Sequence, residues 1–422
     1  MVSRRQLLTL GGLGTLGAAS AAALAGCANE DGAKNNDAAG GAGGSSISEE
    51  LIVDFAGEHQ AGIITPMQNN LHFAAFDISG KADREDVIDL LERWTAAARR
   101  LTLGGDVSAK GAFGTGDSFP ADDSGEAVDH GPSGLTLTFG FGRSFFREQL
   151  GTAGKLPAEF TEMPTMTNDF LRPEFSEGDI CIQACANDPQ VASHAIRNLT
   201  RLAVPTATLR WTQLGFGRAG ATGTEQPTPR NLFGQKDGTA NIRADEDAEL
   251  AKHVWIPADS SQPWAAGGTY MTVRRIAMNI EVWDTLQLRE QERVTGRDKP
   301  VGAPLSGGDE FTEPDFDAVN ERGNPKIDRA SHLFNVHPAQ NDGIRMLRRP
   351  FNYVDGTNEQ GRMNAGLFFI AFTQTPERFA RVHKSMSRDE MFTEYLKTTN
   401  TGTYLIVPGV GDEGYIGEGM FA

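Results

Sequence analysis

The chain has 422 residues, enough for about two to three domains. Charged residues make up 23% and hydrophobic ones 39%, close to the globular average, so a sizeable core is available. A formal net charge of -17 excludes nucleic acid as the main partner, because that role needs a basic face. The same charge gives little attraction to anionic lipid and draws cationic small molecules only weakly at physiological salt.

Residues 1–27 read as a targeting segment rather than part of the fold. Ser3-Arg4-Arg5-Gln6-Leu7-Leu8 is a twin-arginine pattern, followed by a Gly/Ala/Leu stretch too short and mild for a good membrane span. Leu24-Ala25-Gly26-Cys27 is similar to a lipobox, which makes Cys27 the expected site of a lipid anchor; simple cleavage without lipid is the alternative. Together these place the protein outside the cytoplasm, exported by the twin-arginine route and held at the cell surface as a lipoprotein. Residues 28–48 are rich in Ala, Gly, Asn, Asp and Ser and cannot bury enough apolar surface to order themselves. They read as a tether.

The folded part starts near Val53. Leu71–Ile78 is a strand, and Asp83 caps a helix to about Arg100 with Val87, Leu90, Leu91, Trp94 and Ala98 on one face. After a Gly/Asp-rich loop, Leu135, Leu137, Phe139 and Phe141 alternate as a strand. A further strand, Asp179–Cys185, leads to Asp188-Pro189, an N-cap with a first-turn proline. The helix buries Val191, Ala195, Ile196 and Leu199, and a strand over Thr206–Leu214 closes the half. In the second half, Tyr270–Trp283 reads as a strand and Asp284 as the cap of a helix to about Thr295. A long Gly/Pro/Asp-rich loop covers Gly296–Arg329. Gly366–Gln374 is a strand, Thr375-Pro376 starts a helix, and Thr403–Val407 is the last strand.

This order of elements predicts an α+β fold of two ferredoxin-like units, residues 49–225 and 226–422, of the dimeric α/β barrel type. Cys181 and Cys185 share a strand, where four residues span about 13 Å, too far for a disulfide that needs alpha carbons within about 7 Å. They read as buried free thiols.

Two stretches carry the chemistry. Asn231–Ile242 (NLFGQKDGTANI) holds Asp237 between Gly234 and Gly238, and Ala330–Arg349 (ASHLFNVHPAQNDGIRMLRR) holds His332, Arg348 and Arg349. A histidine can bind haem iron from one side. On the other, a carboxylate can move a proton and an arginine can hold developing negative charge. In isolation an Asp-Gly step is better explained by a turn.

The GxxDG run with its flanks, the Ser331-His332 pair and the Met346-Leu347-Arg348-Arg349 run resemble the signature segments of dye-decolorizing (DyP-type) haem peroxidases. Further runs match in order: GEHQAGI (57–63), DICIQACANDPQVASHAIRNL (179–199), WTQLGFGR (211–218), GGTYMTVRRIAMNIEVWD (267–284), GLFFIAFTQ (366–374) and TGTYLIVPGV (401–410). With the export signal, they resemble the exported, deferrochelatase-like subgroup. The resemblance implies haem b held mainly by the second unit, with His332 as iron ligand, Asp237 as distal acid and base, and Arg348 as charge stabiliser ahead of Arg349. It also implies Arg275, rather than Arg274, as partner of a haem propionate, and Glu394 as the acid behind the ligand. Phe368, Phe369 and Phe372 are expected in the pocket or the core, with Phe372 against the cofactor.

The implied reaction is oxidation of dyes, phenols or other bulky reductants by hydrogen peroxide through a ferryl intermediate. Bulky donors do not enter a closed pocket, so Trp264, Tyr353 and Tyr395 are candidates for passing electrons from the surface. Two alternatives stay open: a deferrochelatase that frees iron from haem with the porphyrin intact, and a non-enzymatic haem-binding lipoprotein. A solute-binding lipoprotein is suggested by the export signal alone. A homo-oligomer is compatible with the sequence.

Overall fold

The computed structural model describes residues 51–386 and 390–422. The expected targeting segment, the lipobox cysteine Cys27 and the tether over 28–48 lie outside the described residues. In chain order the elements are β1 (Asn70–Ile78), α1 (Arg84–Leu101), β2 (Thr136–Gly142), β3 (Ile180–Ala186), α2 (Pro189–Ala203), β4 (Ala207–Arg218), α3 (Asp247–His253), β5 (Thr269–Met278), α4 (Ile280–Asp284), α5 (Leu288–Thr295), α6 (His332–Val336), β6 (Leu347–Arg348), β7 (Phe351–Thr357), β8 (Met363–Thr373), α7 (Pro376–Met386) and β9 (Leu396–Ile406).

Local chemistry explains where the helices begin. Asp83 and Asp86 form a reciprocal capping box at the start of α1, and the Asp188 carboxylate accepts the Gln190 amide ahead of Pro189 at α2. Ser331 caps α6 by accepting the Phe334 amide, which makes His332 the first residue of that helix. One expectation fails between β5 and α5. The strand stops at Met278, Ile280–Asp284 is a separate short helix, and α5 starts after Gln287 rather than at Asp284. The apolar run Ile280-Glu281-Val282-Trp283 reads as strand by composition, but Trp283 is used to fill a cluster with Phe233, Phe392 and Tyr395. The strand β7 was not anticipated, and β9 begins seven residues before the expected Thr403.

The strands run β5-β9-β2-β3-β1-β4-β7-β8, and β8 pairs back onto β5, so the sheet closes into a barrel of antiparallel pairs. Closure removes free edges. The short β6 continues the β7 track along β8: Leu347 faces Phe372 and Phe351 faces Phe368 in one register. Within each half the strand order is the same, β2-β3-β1-β4 and β7-β8-β5-β9.

Side-chain alternation gives the ring two surfaces. The inside is filled by Phe73, Cys181, Cys185, Trp211, Met271, Val273, Phe351, Tyr353, Phe368, Ile370, Phe372 and Tyr404, all buried. Phe73 packs its ring 4.9 Å from Trp211 and 5.3 Å from Phe368. Cys181 and Cys185 are free thiols in this interior, as their spacing requires. Outside the first half, α1 and α2 cover the sheet through Val87, Leu90, Trp94, Val191, Ile196 and Leu199 against Phe76, Phe139 and Ile182. The second half carries a cavity on its outer surface.

Burial pushes the His72 imidazole on β1 down to about 4. An unfolded histidine titrates near 6.5. Between those values the unfolded chain carries a proton that the folded chain does not, so stability is lost as pH falls from about 6.5 towards 4. The urea midpoint of the wild-type protein should therefore drop over this range, and His72→Leu should flatten the drop. An equal slope in both proteins would show that His72 does not contribute.

Candidate active site

The cavity has a volume of about 280 Å³ and lies between the outer faces of β5 and β8, the helices α6 and α7, and the loop carrying Asp237. Its apolar lining includes Ile276, Leu333, Leu367, Phe369, Val382 and Phe392. Two sets of its polar residues stand out, with no hydrogen bond or ion pair between them among the described residues.

The first set centres on His332. Its Nδ1 is hydrogen-bonded to the Glu390 carboxylate through Oε1. The chain is pinned there because the Met391 amide donates to the Ala330 carbonyl, 2.9–3.0 Å being ordinary for such a bond and 3.0 Å the distance found. The Glu390 side chain is fully shielded, while the imidazole is partly open on the cavity. With Nδ1 engaged, Nε2 is the ring nitrogen left to bind something in the cavity. Nδ1–H donating to a carboxylate fixes that tautomer and makes the ring a better ligand. The acid behind the histidine is thus Glu390, not Glu394 as expected. Glu394 lies in the 3-10 turn Met391–Tyr395 and is exposed.

The second set centres on Asp237. Arg348 Nη1 donates to its Oδ1 at 3.1 Å, and Asn231 Nδ2 donates to its Oδ2 at 3.1 Å. Asn241 locks the loop to β6, accepting the Arg348 amide at 2.7 Å and donating to the Arg348 carbonyl at 2.8 Å. On the outer side, Glu310 from the long loop pairs with Lys236 and accepts from Thr239 at 3.1 Å, bracketing Asp237. Gly238 has φ +103, and a side chain there would press on the Gly220 backbone at 3.2 Å, so the turn needs glycine. Asn231, Asn241 and Glu310 were not picked out as site residues from sequence. The two asparagines sit inside the recognised run, whereas nothing marks Glu310 among the acids of its loop.

Alternation decides the remaining positions. Arg348 faces the cavity, and Arg349 points into the barrel, fully buried on Gln68, the Thr65 carbonyl and Thr222. Arg274 faces the cavity and pairs with the buried Asp169. Arg275, the expected propionate partner, points the other way. It donates to Gln213 at 2.7 Å and Asp355 at 2.8 Å and sits 4.0 Å over the Tyr353 ring. Phe372 also fills the barrel, and Phe369 is the phenylalanine of that strand on the cavity. Tyr353 is buried inside the barrel, Trp264 is partly buried beside Phe146, and Tyr395 packs 5.2 Å from Trp283. His383 lines the cavity too, with its imidazole pushed down to about 4 by burial.

These residues fit a haem. An imidazole with one open nitrogen, an apolar slot and a separate acid–guanidinium couple are the donor set the group needs. Since Glu390 sits on His332, Glu390→Gln should raise the reduction potential of bound haem iron, measured by spectroelectrochemistry. Glu394→Gln should leave it at the wild-type value. The reverse pattern would return the role to Glu394.

Comparison with known proteins gives the family. Residues 60–217 match the family description "Dyp-type peroxidase, N-terminal" and residues 228–411 match "Dyp-type peroxidase, C-terminal". The chain is 35% identical to the deferrochelatase of Escherichia coli O157:H7 over 425 residues, 99% of this chain and 96% of the relative. It superposes on a DyP-type peroxidase from Streptomyces coelicolor with a TM-score of 0.80 and 36% identity, covering 87% of this chain and 96% of that one. Ferric DtpA from Streptomyces lividans gives the same TM-score, identity and coverage. The barrel, the cavity and these likenesses lead to one conclusion: the chain belongs to the DyP-type peroxidase family of haem enzymes, which includes the deferrochelatases.

Proposed function

We propose that the cavity binds haem b, whose iron His332 Nε2 would hold, with Asp237 and Arg348 as the acid–guanidinium couple of the same cavity. The observation that carries the reading is the Asp237–Arg348 couple, held at 3.1 Å in the cavity that His332 also lines. Bound haem iron would supply the redox and Lewis-acid chemistry. The protein's part is to position and to move protons. Glu390 accepts the His332 Nδ1 proton and keeps Nε2 available. Asp237 would take a proton from hydrogen peroxide and return it to the oxygen that leaves as water. Arg348 holds the negative charge that develops between those events.

The curated relatives favour one physiological outcome over the other. Their likeness runs nearly end to end, and they are named deferrochelatases. We infer that haem is substrate as well as ligand, and that release of its iron with the porphyrin intact is the better reading. Oxidation of dyes, phenols or other bulky donors by peroxide is the second. Iron release puts two protons on the porphyrin nitrogens, and Asp237 is the cavity acid we assign to pass them. The peroxide reading is favoured by Arg348, since proton delivery alone needs no guanidinium. A passive haem-carrying lipoprotein would need neither residue.

The halves repeat the strand order of a ferredoxin-like unit, and we propose a division near residues 225–226, with the cavity in the second unit. The twin-arginine pattern supports export, and the lipobox supports lipidation at Cys27. No helix of the described residues is long and apolar enough to cross a membrane.

Asp237→Asn and Arg348→Leu should each slow the reaction of the haem-loaded protein with peroxide by roughly 100- to 10,000-fold in stopped-flow absorbance. Wild-type rates in both variants would remove the couple from the chemistry. Incubation of the protein with haem, followed by chromatography for metal-free protoporphyrin, separates the two outcomes. Intact protoporphyrin supports iron release, whereas peroxide turnover with the haem iron retained supports the peroxidase reading.

A further inference from the structure

The cavity wall carries oxidisable groups that the reaction itself does not use. Three methionines line it: Met278, Met346 and Met386. A thioether is a soft two-electron reductant, and oxidation turns it into a polar sulfoxide. A methionine beside the place where peroxide is activated therefore competes with any external donor for the oxidising equivalents.

Strand parity singles out Met346. It stands just ahead of β6, two residues before Arg348. Alternation turns both of these outward to the cavity, while Leu347 and Arg349 point into the barrel. Two residues along a strand span about 7 Å. Met346 thus shares its stretch of wall with the guanidinium that holds Asp237 at 3.1 Å. It packs against the cluster of Met166, Ala371 and Phe379 and is only half-buried. Met278 is placed differently. It is 5% exposed and packs with Phe233, Trp283 and Phe392, the cluster whose Phe392 ring lies 5.1 Å from His332. Met386 ends α7, an element that carries neither member of the acid–guanidinium couple.

Resting on the peroxide reading of the site, we propose that Met346 is a built-in oxygen acceptor, converted to methionine sulfoxide when peroxide is activated and no external donor is at hand. The step balances without a further reagent. The Met346 sulfur gives up two electrons and gains one oxygen atom of hydrogen peroxide. The peroxide O–O bond breaks, and the second oxygen leaves as water with both peroxide protons. The product puts a polar group into a wall otherwise built from Phe369 and Phe379, whose rings lie 5.7 Å apart. The modification therefore records unproductive turnover and alters the cavity that produced it.

The test treats the haem-loaded full chain with isotopically labelled hydrogen peroxide, with and without an excess of a phenolic donor, and maps the labelled oxygen by peptide mass spectrometry. Met363, 45% exposed and outside the cavity, reports oxidation by peroxide in bulk solution. Without donor, Met346 should carry several-fold more label than Met363. With donor, and in Asp237→Asn loaded with haem to the same absorbance, it should fall to the Met363 level. The donor comparison uses wild type alone, so it decides even where the variant takes up no haem. Label on Met346 no higher than on Met363, equal label with and without donor, undiminished label in haem-loaded Asp237→Asn, or label gathered on Met278 or Met386 would each overturn the proposal. If the haem-loaded wild type consumes no peroxide, the peroxide reading itself fails. If peroxide is consumed and Met346 stays unlabelled, only this assignment fails.

Discussion

Closure of the barrel is the constraint on which the site depends. Once β8 pairs back onto β5, every strand of the ring has a buried, mostly apolar inside and an outside that is free to do something else. In the first half the outside is packed under α1 and α2. In the second half β5 and β8 offer Arg274, Ile276, Leu367 and Phe369 to a cavity, roofed by α6, α7 and two loops. The rigid part supplies the floor, and the chemistry-bearing groups arrive on short helices and loops, as is usual for a functional site.

His332, Asp237 and Arg348 are each held by a neighbouring side chain. Glu390 orients His332, and Asn231 and Asn241 orient Asp237 and Arg348. Glu310 ties the long loop to both sides of Asp237. Such supporting bonds matter because a catalytic group displaced by about 1 Å can lose roughly 100-fold in rate. They also keep a cavity rich in positive charge tolerable, by giving Arg274, Arg345 and Arg348 acids of their own.

Much of this was legible in the sequence, and the misses share a cause. Asp83, Asp188 and Ser331 announce their helices because capping is local. Asp237, His332 and Arg348 stand in runs distinctive enough to be identified together. What a linear reading lacks is the parity of a strand, meaning which of two neighbours points outward. The resemblance favours Arg348 over Arg349, and Arg348 faces the cavity; it favours Arg275 over Arg274, and there Arg274 is the one on the cavity. The pairing of Arg274 with Phe369, and of Arg348 with Ala371, fixes all of them at once, and it also sends Phe372 inside. Glu390 lies four residues from the acid that resemblance favoured, and only the bond from Met391 back to Ala330 reveals which one meets the histidine.

The central claim is that His332 Nε2 binds haem iron in this cavity. The most direct measurement is the visible and electron paramagnetic resonance spectrum of the protein loaded with ferric haem, for wild type, for His332→Ala, and for His332→Ala with added imidazole. The account predicts a Soret band and a histidine-ligated ferric signal in wild type, their loss or alteration in the variant, and their return with free imidazole. Identical spectra and haem affinity in wild type and His332→Ala would contradict it.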